Sequence, residues 1–215
     1  MRFKSREHAA QQLIEQLSPY CVNQNPLVLG VPRGAVPMTR MIADALAGEL
    51  DVVLVRKLSH PDQPEFAIGA VDESGNTFLA EWAADVDPQF VEAEKQRQLT
   101  VLRGRRARYT PWREPIDPID RIVIIVDDGI ATGSTMTAAF RAVRAKKPKK
   151  LIGAVAVASL DAARAMLHEC DAMVCLNVSA DFFAVGQFFE DFTQVSEQDV
   201  IAALRKSNAS APAVA

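Results

Sequence analysis

An α/β fold is what the sequence predicts: a doubly wound, mainly parallel central sheet with flanking helices. Three observations point to it. Short, largely apolar runs recur at Leu27–Val31, Asp51–Val55, the stretch beginning at Val123, Ile152–Val157 and Ala172–Leu176. Continuous rather than alternating apolarity suits strands buried on both faces. Segments with helical spacing of apolar residues separate these runs, the alternation that builds parallel sheets. Finally, three of the runs are followed by charge, at Arg33, at Arg56-Lys57 and at Asp127-Asp128. Ligands of open α/β sheets gather outside the carboxyl ends of strands, so this recurrence predicts one composite site.

A chain of 215 residues, 49% hydrophobic and 24% charged, fits one globular domain. Residues 1–207 are expected to form it, with 208–215 a disordered tail of small residues. Such a chain buries roughly 70% of its unfolded surface, enough for a true core. A formal net charge of −3 gives no basis for general nucleic-acid affinity. No apolar run approaches the ~20 residues of a membrane helix, and the basic N-terminus, MRFKSREHAAQQ, lacks the apolar segment of a secretory signal. Cys21, Cys170 and Cys175 form no CxxC pair, so they read as buried thiols of a cytoplasmic protein.

In chain order, Ala10, Leu13, Ile14 and Leu17 fall at i, i+3, i+4 and i+7 of an amphipathic packing helix that Pro19 should end. Leu27–Val31 lies between Asn25-Pro26 and Pro32 and leads into Val31-Pro32-Arg33-Gly34-Ala35. A helix with Met38, Met41, Ile42 and Ala45 on one face follows. A strand, a glycine turn carrying a cation and a helix make an anion cradle, although a plain turn with a surface arginine satisfies the same residues. Asp51–Val55 is the next strand, with Arg56-Lys57 at its end. Residues 58–65, LSHPDQPE, read as loop, with His60 and Glu65 as candidate loop residues. Phe66–Val71 and Thr77–Trp82 then read as a hairpin closed by residues 72–76.

Asp87-Pro88 opens a helix reaching Arg108, with a thin apolar stripe of Val91, Leu99 and Leu102. Glu92 with Lys95, and Glu94 with Arg97, are spaced to pair on its surface. Arg103, Arg105, Arg106 and Arg108 are expected as a solvated cluster favoured by the helix dipole, with phosphate or nucleic-acid contact the other reading. The three prolines of residues 110–120 make that stretch a connection. Met136, Ala139, Phe140 and Val143 give a further helical face, closed by Lys146-Lys147-Pro148. After Ile152–Val157 comes a helix with Ala163, Met166 and Leu167 inward, then the last strand, Ala172–Leu176. Asp181–Val195 holds five of the ten phenylalanines on neither a helical nor a strand period, which reads as a loop folded onto the core. Ser196 to Asp199 starts a final helix with a capping-box-like pattern.

The stretch that organises the chain is Val123–Thr135, VIIVDDGIATGST. Small and hydroxyl residues at a helix N-terminus offer free N–H groups and hydroxyls to a phosphate. Adjacent carboxylates just upstream accept hydrogen bonds from ribose hydroxyls or help to hold hydrated Mg²⁺. An ordinary strand–turn–helix with Asp128 or Thr132 as N-cap is the plainer reading. The whole string resembles the phosphoribosyl pyrophosphate (PRPP) signature of type I phosphoribosyltransferases, with Gly129 where that family more often carries an apolar residue. Through GVPRGAVP, VRK, VDDGIATGST and VGQFFEDF the chain is also similar to a group of predicted bacterial phosphoribosyltransferases whose acceptor is not defined.

The resemblance implies the type I phosphoribosyltransferase fold, with a flexible-loop hairpin and a small hood formed mainly by residues 177–195. It implies Mg²⁺-dependent transfer of the 5-phosphoribosyl group of PRPP to an acceptor nitrogen, as in nucleobase salvage, with release of pyrophosphate. In that scheme Thr132, Gly133, Ser134 and Thr135, preceded by Gly129, Ile130 and Ala131, hold the 5-phosphate. Asp127 and Asp128 hold the ribose hydroxyls or, through them or water, the metal. Pro32, Arg33 and Gly34 form the pyrophosphate loop, with a cis peptide at Pro32–Arg33, while Arg56 and Lys57 neutralise the leaving pyrophosphate. Phe183 would stack on the acceptor, Val185 lend backbone groups and Glu190 read the base edge. The implied partners are PRPP and a small-molecule acceptor, in a cytoplasmic homodimer with no membrane or nucleic-acid partner. A non-enzymatic PRPP- or nucleotide-binding regulator is the alternative, although the sequence holds no helix-turn-helix.

Overall fold

The computed structural model describes residues 2–22, 24–63 and 66–205. The candidate loop residue Glu65 and the tail expected at 208–215 lie outside the described residues. The strands are β1 (Leu27–Gly30), β2 (Glu49–Val52), β3 (Val55–Ser59), β4 (Ala67–Asp72), β5 (Thr77–Leu79), β6 (Ile122–Ile130), β7 (Lys150–Ser159) and β8 (Ala172–Ser179). The helices are α1 (Arg6–Cys21), α2 (Val36–Ala45), α3 (Pro88–Tyr109), α4 (Ser134–Arg144), α5 (Leu160–Met166) and α6 (Glu197–Arg205).

Five strands form one parallel sheet in the order β2-β1-β6-β7-β8. The chain therefore winds one way through β1 and β2, then the other way through β6 to β8, and the direction reverses between β1 and β6. Such a switch point leaves a crevice at the strands' carboxyl ends. The continuous apolar runs are explained by the two cores they serve. Ile124 and Val126 of β6 face α1, α2 and α6, joining Leu13, Ile42 and Leu204, whereas Val123 and Ile125 face α4 and α5, joining Met136, Phe140 and Met166. The doubly wound α/β class expected from the sequence is the observed one.

Several local expectations differ. Pro19 lies inside α1 rather than ending it, and the helix continues to the buried Cys21. Pro19 forfeits the bond its N–H would have made to the Glu15 carbonyl, and core burial of Leu17 and Cys21 outweighs that loss. The run Asp51–Val55 is not one strand: β2 stops at Val52, and β3 pairs antiparallel with β4 in a separate three-stranded sheet, β3-β4-β5. The expected hairpin is present but its second strand ends at Leu79, before a 3-10 turn over Glu81–Asp85. Leu167, expected inward, is 63% exposed, because α5 is only seven residues long and ends at Met166.

The arginines at the end of α3 divide. Arg103 and Arg108 are exposed, but Arg106 is drawn into the protein. It donates to Asp51 Oδ1 at 2.8 Å, to Glu73 through two nitrogens, and to the Val52 carbonyl at 3.1 Å. Arg113 meets the other Asp51 oxygen at 2.9 Å, and the Ile116 N–H donates to the same oxygen at 3.0 Å. The fully buried Asp51 thus ties β2, α3 and the proline-rich connection together. Burial works against its charge, yet the Arg106 charge and Arg113 still hold its carboxyl below the ordinary range. The surface pairs expected on α3 are present, Lys95–Glu92 at 3.7 Å and Arg97–Glu94 at 2.8 Å.

Candidate functional site

β1 and β6 stay paired only as far as Gly30 opposite Val126, where the Val31 N–H closes the ladder on the Val126 carbonyl at 3.0 Å. β1 then gives way to the loop leading into α2, while β6 continues along β7 to Ile130. Asp127 and Asp128, expected where the strand stops, are therefore inside β6, but they stand where it has lost its β1 partner. Asp128 lines the crevice there, and Asp127 is its neighbour within the strand.

The loop from β1 folds against them. The Pro32–Arg33 peptide is cis, as expected. Gly34 lies so close to Asp128 that a Cβ there would overlap Asp128 Oδ2 and sit 3.2 Å from Arg6 Nη2. Only glycine permits this approach. Asp128 is 9% exposed, and its Oδ2 accepts from Arg6 Nε and Arg6 Nη2, each at 2.8 Å. Arg6 Nη1 donates to the Thr193 carbonyl at 2.8 Å, and its guanidinium lies over the Phe192 ring at 3.9 Å. Asp127 Oδ1 accepts the Asp128 N–H at 2.8 Å. Burial, and after it the charge of Asp128, push the Asp127 carboxyl well above its ordinary value.

Beyond the pair, Ile130 is buried and Ala131, Thr132, Ser134 and Thr135 are exposed around the start of α4. Gly133 caps that helix with φ 79°, a left-handed conformation that glycine adopts without penalty. Thr132 Oγ1 and Ser134 Oγ lie 3.2 Å apart, and Ser159 Oγ pins the loop by donating to the Ala131 carbonyl at 2.6 Å. Hydroxyls and the free N–H groups of the first α4 turn thus share one solvent-facing rim. Gly129 has a packing reason: a Cβ there would meet Val185 Cγ1 at 2.6 Å and Val157 Cγ2 at 2.5 Å. The side chain of Val185 occupies the space.

Arg56 and Lys57 do not act as a pair at a strand end. They are neighbours within β3 and so point to opposite faces. Arg56 donates through Nε to Gln98 of α3 and is half-buried there; burial, then the Arg105 charge, lower its pKa. Lys57 stands opposite Ala70, which stands opposite Phe78. Ala70 and Phe78 line a cleft of about 280 Å³ together with Thr132 and Ser134. Lys57 therefore shares a sheet face with Ala70 and Phe78, and Arg56 does not.

The expected hood is a loop strapped across the crevice, with a 3-10 turn at Val185–Phe188. Phe188 and Phe189 are buried, and Phe3 bridges to Phe189, so most of the aromatic cluster serves the core. Gln187 knots the turn: its Oε1 accepts from the Phe183 and Ala184 N–H groups, and its Nε2 donates to the Asp181 carbonyl at 2.7 Å. Phe183 is 91% exposed, and Glu190 is exposed with its N–H bound to the Phe3 carbonyl at 2.8 Å. A cavity of about 490 Å³ is lined by Arg33, Gly34, Asp128, Arg6, Val185 and Phe192, among others. Arg33, Gly34, Asp128 and Val185 are thus brought together, whereas Phe183 and Glu190 are not among its lining residues. Among the described residues, no group of three or more His, Cys, Asp or Glu side chains is placed to hold a metal by itself, and no helix is long and apolar enough to cross a membrane.

Arg6 and Phe192 are the site residues that the sequence reading missed. One signal was present: Arg6 follows the N-cap Ser5, and a cation in the first turn of a helix opposes the dipole, which calls for a tertiary partner.

Comparison with known proteins agrees with this geometry. A model of the phosphoribosyl transferase domain matches residues 3–191. Two Mycobacterium tuberculosis proteins (strains CDC 1551 / Oshkosh and H37Rv), each named "Putative phosphoribosyl transferase", are 38% identical over 209 residues. That covers 96% of this chain but 47% of theirs, so the chain spans about half the length of these relatives. The crystal structure of TT1426 from Thermus thermophilus is 42% identical with a TM-score of 0.87, covering 96% of this chain and 99% of that one. A purine phosphoribosyltransferase from Pyrococcus horikoshii, 18% identical over 89% of this chain and 93% of its own, shares the fold at a TM-score of 0.50. The parallel sheet, the Asp-Asp pair within β6 and the domain match lead to one conclusion: this chain belongs to the phosphoribosyl transferase domain family.

Proposed function

We propose that the protein transfers the 5-phosphoribosyl group of PRPP to an acceptor nitrogen, with release of pyrophosphate. The observation that carries this reading is the meeting, across the β1/β6 switch point, of Asp128 with the Arg33-Gly34 loop, beside Asp127 and the open N-terminus of α4. Thr132, Ser134, Thr135 and the first N–H groups of α4 hold the 5-phosphate. Asp127 and Asp128 accept from the ribose hydroxyls. Arg33 and Lys57 stabilise the charge that develops on the departing pyrophosphate, the electrostatic route for such a leaving group. Exclusion of water protects the oxocarbenium-like carbon from hydrolysis, a role we assign to the segment after β3 and the hood.

Mg²⁺ fits this donor set: carboxylate oxygens are its preferred protein ligands, and it ordinarily completes its shell with water and substrate phosphates. Bound there, it would neutralise pyrophosphate oxygens, with Asp127 and Asp128 as the residues that hold it. The cavity beside Asp128 has room for a flat, nucleobase-sized acceptor. We further read the protein as a cytoplasmic homodimer, by family and from its three free cysteines.

The test is to mix purified protein with PRPP, Mg²⁺ and a panel of nucleobases and to follow pyrophosphate. Release that requires a base supports transfer. Release without any base makes the protein a PRPP hydrolase, and binding without turnover makes it a PRPP-responsive regulator.

A further inference from the structure

The Arg6 side chain has more partners than a packing role requires. Two of its donors fall on a single oxygen, Asp128 Oδ2, both at 2.8 Å. Its third goes to the Thr193 carbonyl at 2.8 Å, across 187 residues of sequence. Its guanidinium plane rests on Phe192, whose ring is itself stacked on Phe189 at 5.0 Å and 28°. Behind the carboxylate, Gly34 closes the space with no room for a side chain. One planar cation therefore touches the carboxylate of β6 and the strap after the hood, and lies beside the pyrophosphate loop.

We propose that Arg6 is a positioning residue of the transfer site, which fixes the orientation of Asp128 and couples it to the strap that bounds the acceptor cavity. A guanidinium suits this task because its rigid fork makes two bonds to one carboxylate while its face stays available for an aromatic ring. Lysine, a point charge on a flexible stem, cannot reproduce the fork, the third donor and the stacked plane together. Arg6 acts on the ligand through Asp128. Its loss should therefore loosen recognition of the ribose and metal end of PRPP rather than remove a reacting group. The inference rests on the phosphoribosyl-transfer reading.

The experiment is calorimetric titration of PRPP with Mg²⁺ into the wild-type chain, Arg6→Ala and Arg6→Lys, each checked for folding by thermal melting. Loss of charge-assisted hydrogen bonds of this kind corresponds to roughly ten- to a hundredfold weaker binding in Arg6→Ala. Arg6→Lys should bind about fivefold or more weakly despite its retained charge. Millimolar guanidinium chloride should restore part of the affinity of Arg6→Ala without restoring its melting temperature, a recovery that a purely structural role does not produce. Arg6→Lys, which keeps the charge and the aliphatic stem, is the deciding variant should Arg6→Ala fail to fold. Wild-type affinity in either folded variant overturns the inference while leaving the transfer reading intact. Failure of the wild-type chain itself to bind PRPP overturns the transfer reading, and the inference with it.

Discussion

Gly34 and Asp128, 94 positions apart in sequence, are in van der Waals contact across the crevice, with no space between them for a methyl group. The contact brings the Arg33-Gly34 loop onto the Asp128 carboxylate. Gly34→Ala should push Asp128 off its Arg6 partner or swing the loop away. We expect PRPP affinity to fall at least about tenfold, by the loss of a charge-assisted contact, with a lower melting temperature, since overpacking of this kind costs about 1–3 kcal/mol. Calorimetry with PRPP and Mg²⁺ checks it.

Gly129 leads to a prediction about the hood. Val185 fills the space where a side chain at 129 would stand, so Gly129→Val should displace the 185–188 turn. Overpacking of this kind costs about 1–3 kcal/mol. Hydrogen exchange should speed up at the amides of Gln187 and Phe189, which donate within that turn, while the amides of β6 stay protected.

The division of Arg56 from Lys57 is testable by substitution. Lys57→Ala should lower kcat/KM for PRPP by about tenfold or more, the scale of losing one electrostatic contact to the leaving group. Arg56→Ala should act mainly on stability through its contact with Gln98. Equal kinetic losses in the two variants would show that both reach the substrate.

Asp51 and its two arginines set an acid limit. Because its folded carboxyl is held below the ordinary value of 3.8, the stability it contributes is fully present above that value and is lost as pH falls through the lower folded value. The wild-type melting temperature should therefore drop more steeply below about pH 4 than that of Asp51→Asn. Arg106→Met, which takes this guanidinium from Glu73 and leaves Asp51 with Arg113 as its cation, should cost up to about 3–5 kcal/mol at neutral pH. Thermal melting across a pH series reads both.

The sheet was legible because its strands are buried on both faces, so Leu27–Val31 and Val123–Val126 read as unbroken apolar runs whatever packs on them. The Asp-Asp pair and the hydroxyl-rich helix start were legible because their chemistry is contiguous, although the pair lies inside β6 rather than at its end. Arg6 was not, because its partner lies 122 residues away and its own helix looked like packing. The break between β2 and β3 was hidden for a related reason. Val52 to Val55 is uniformly apolar, and the pairing of β2 ends where its partner β1 ends at Gly30, not at a turn residue of its own. Phe183 shows the limit of matching a short segment. Its neighbours Phe188 and Phe189 are held by the core, whereas Phe183 itself is turned to solvent.

The most direct test of the central claim is the affinity for PRPP with Mg²⁺ of the wild-type chain and of the Asp127→Asn, Asp128→Asn double variant. Removal of two charged contacts predicts roughly a hundredfold weaker binding by the folded double variant. Affinity unchanged within a few-fold would contradict a PRPP site at the β1/β6 switch point.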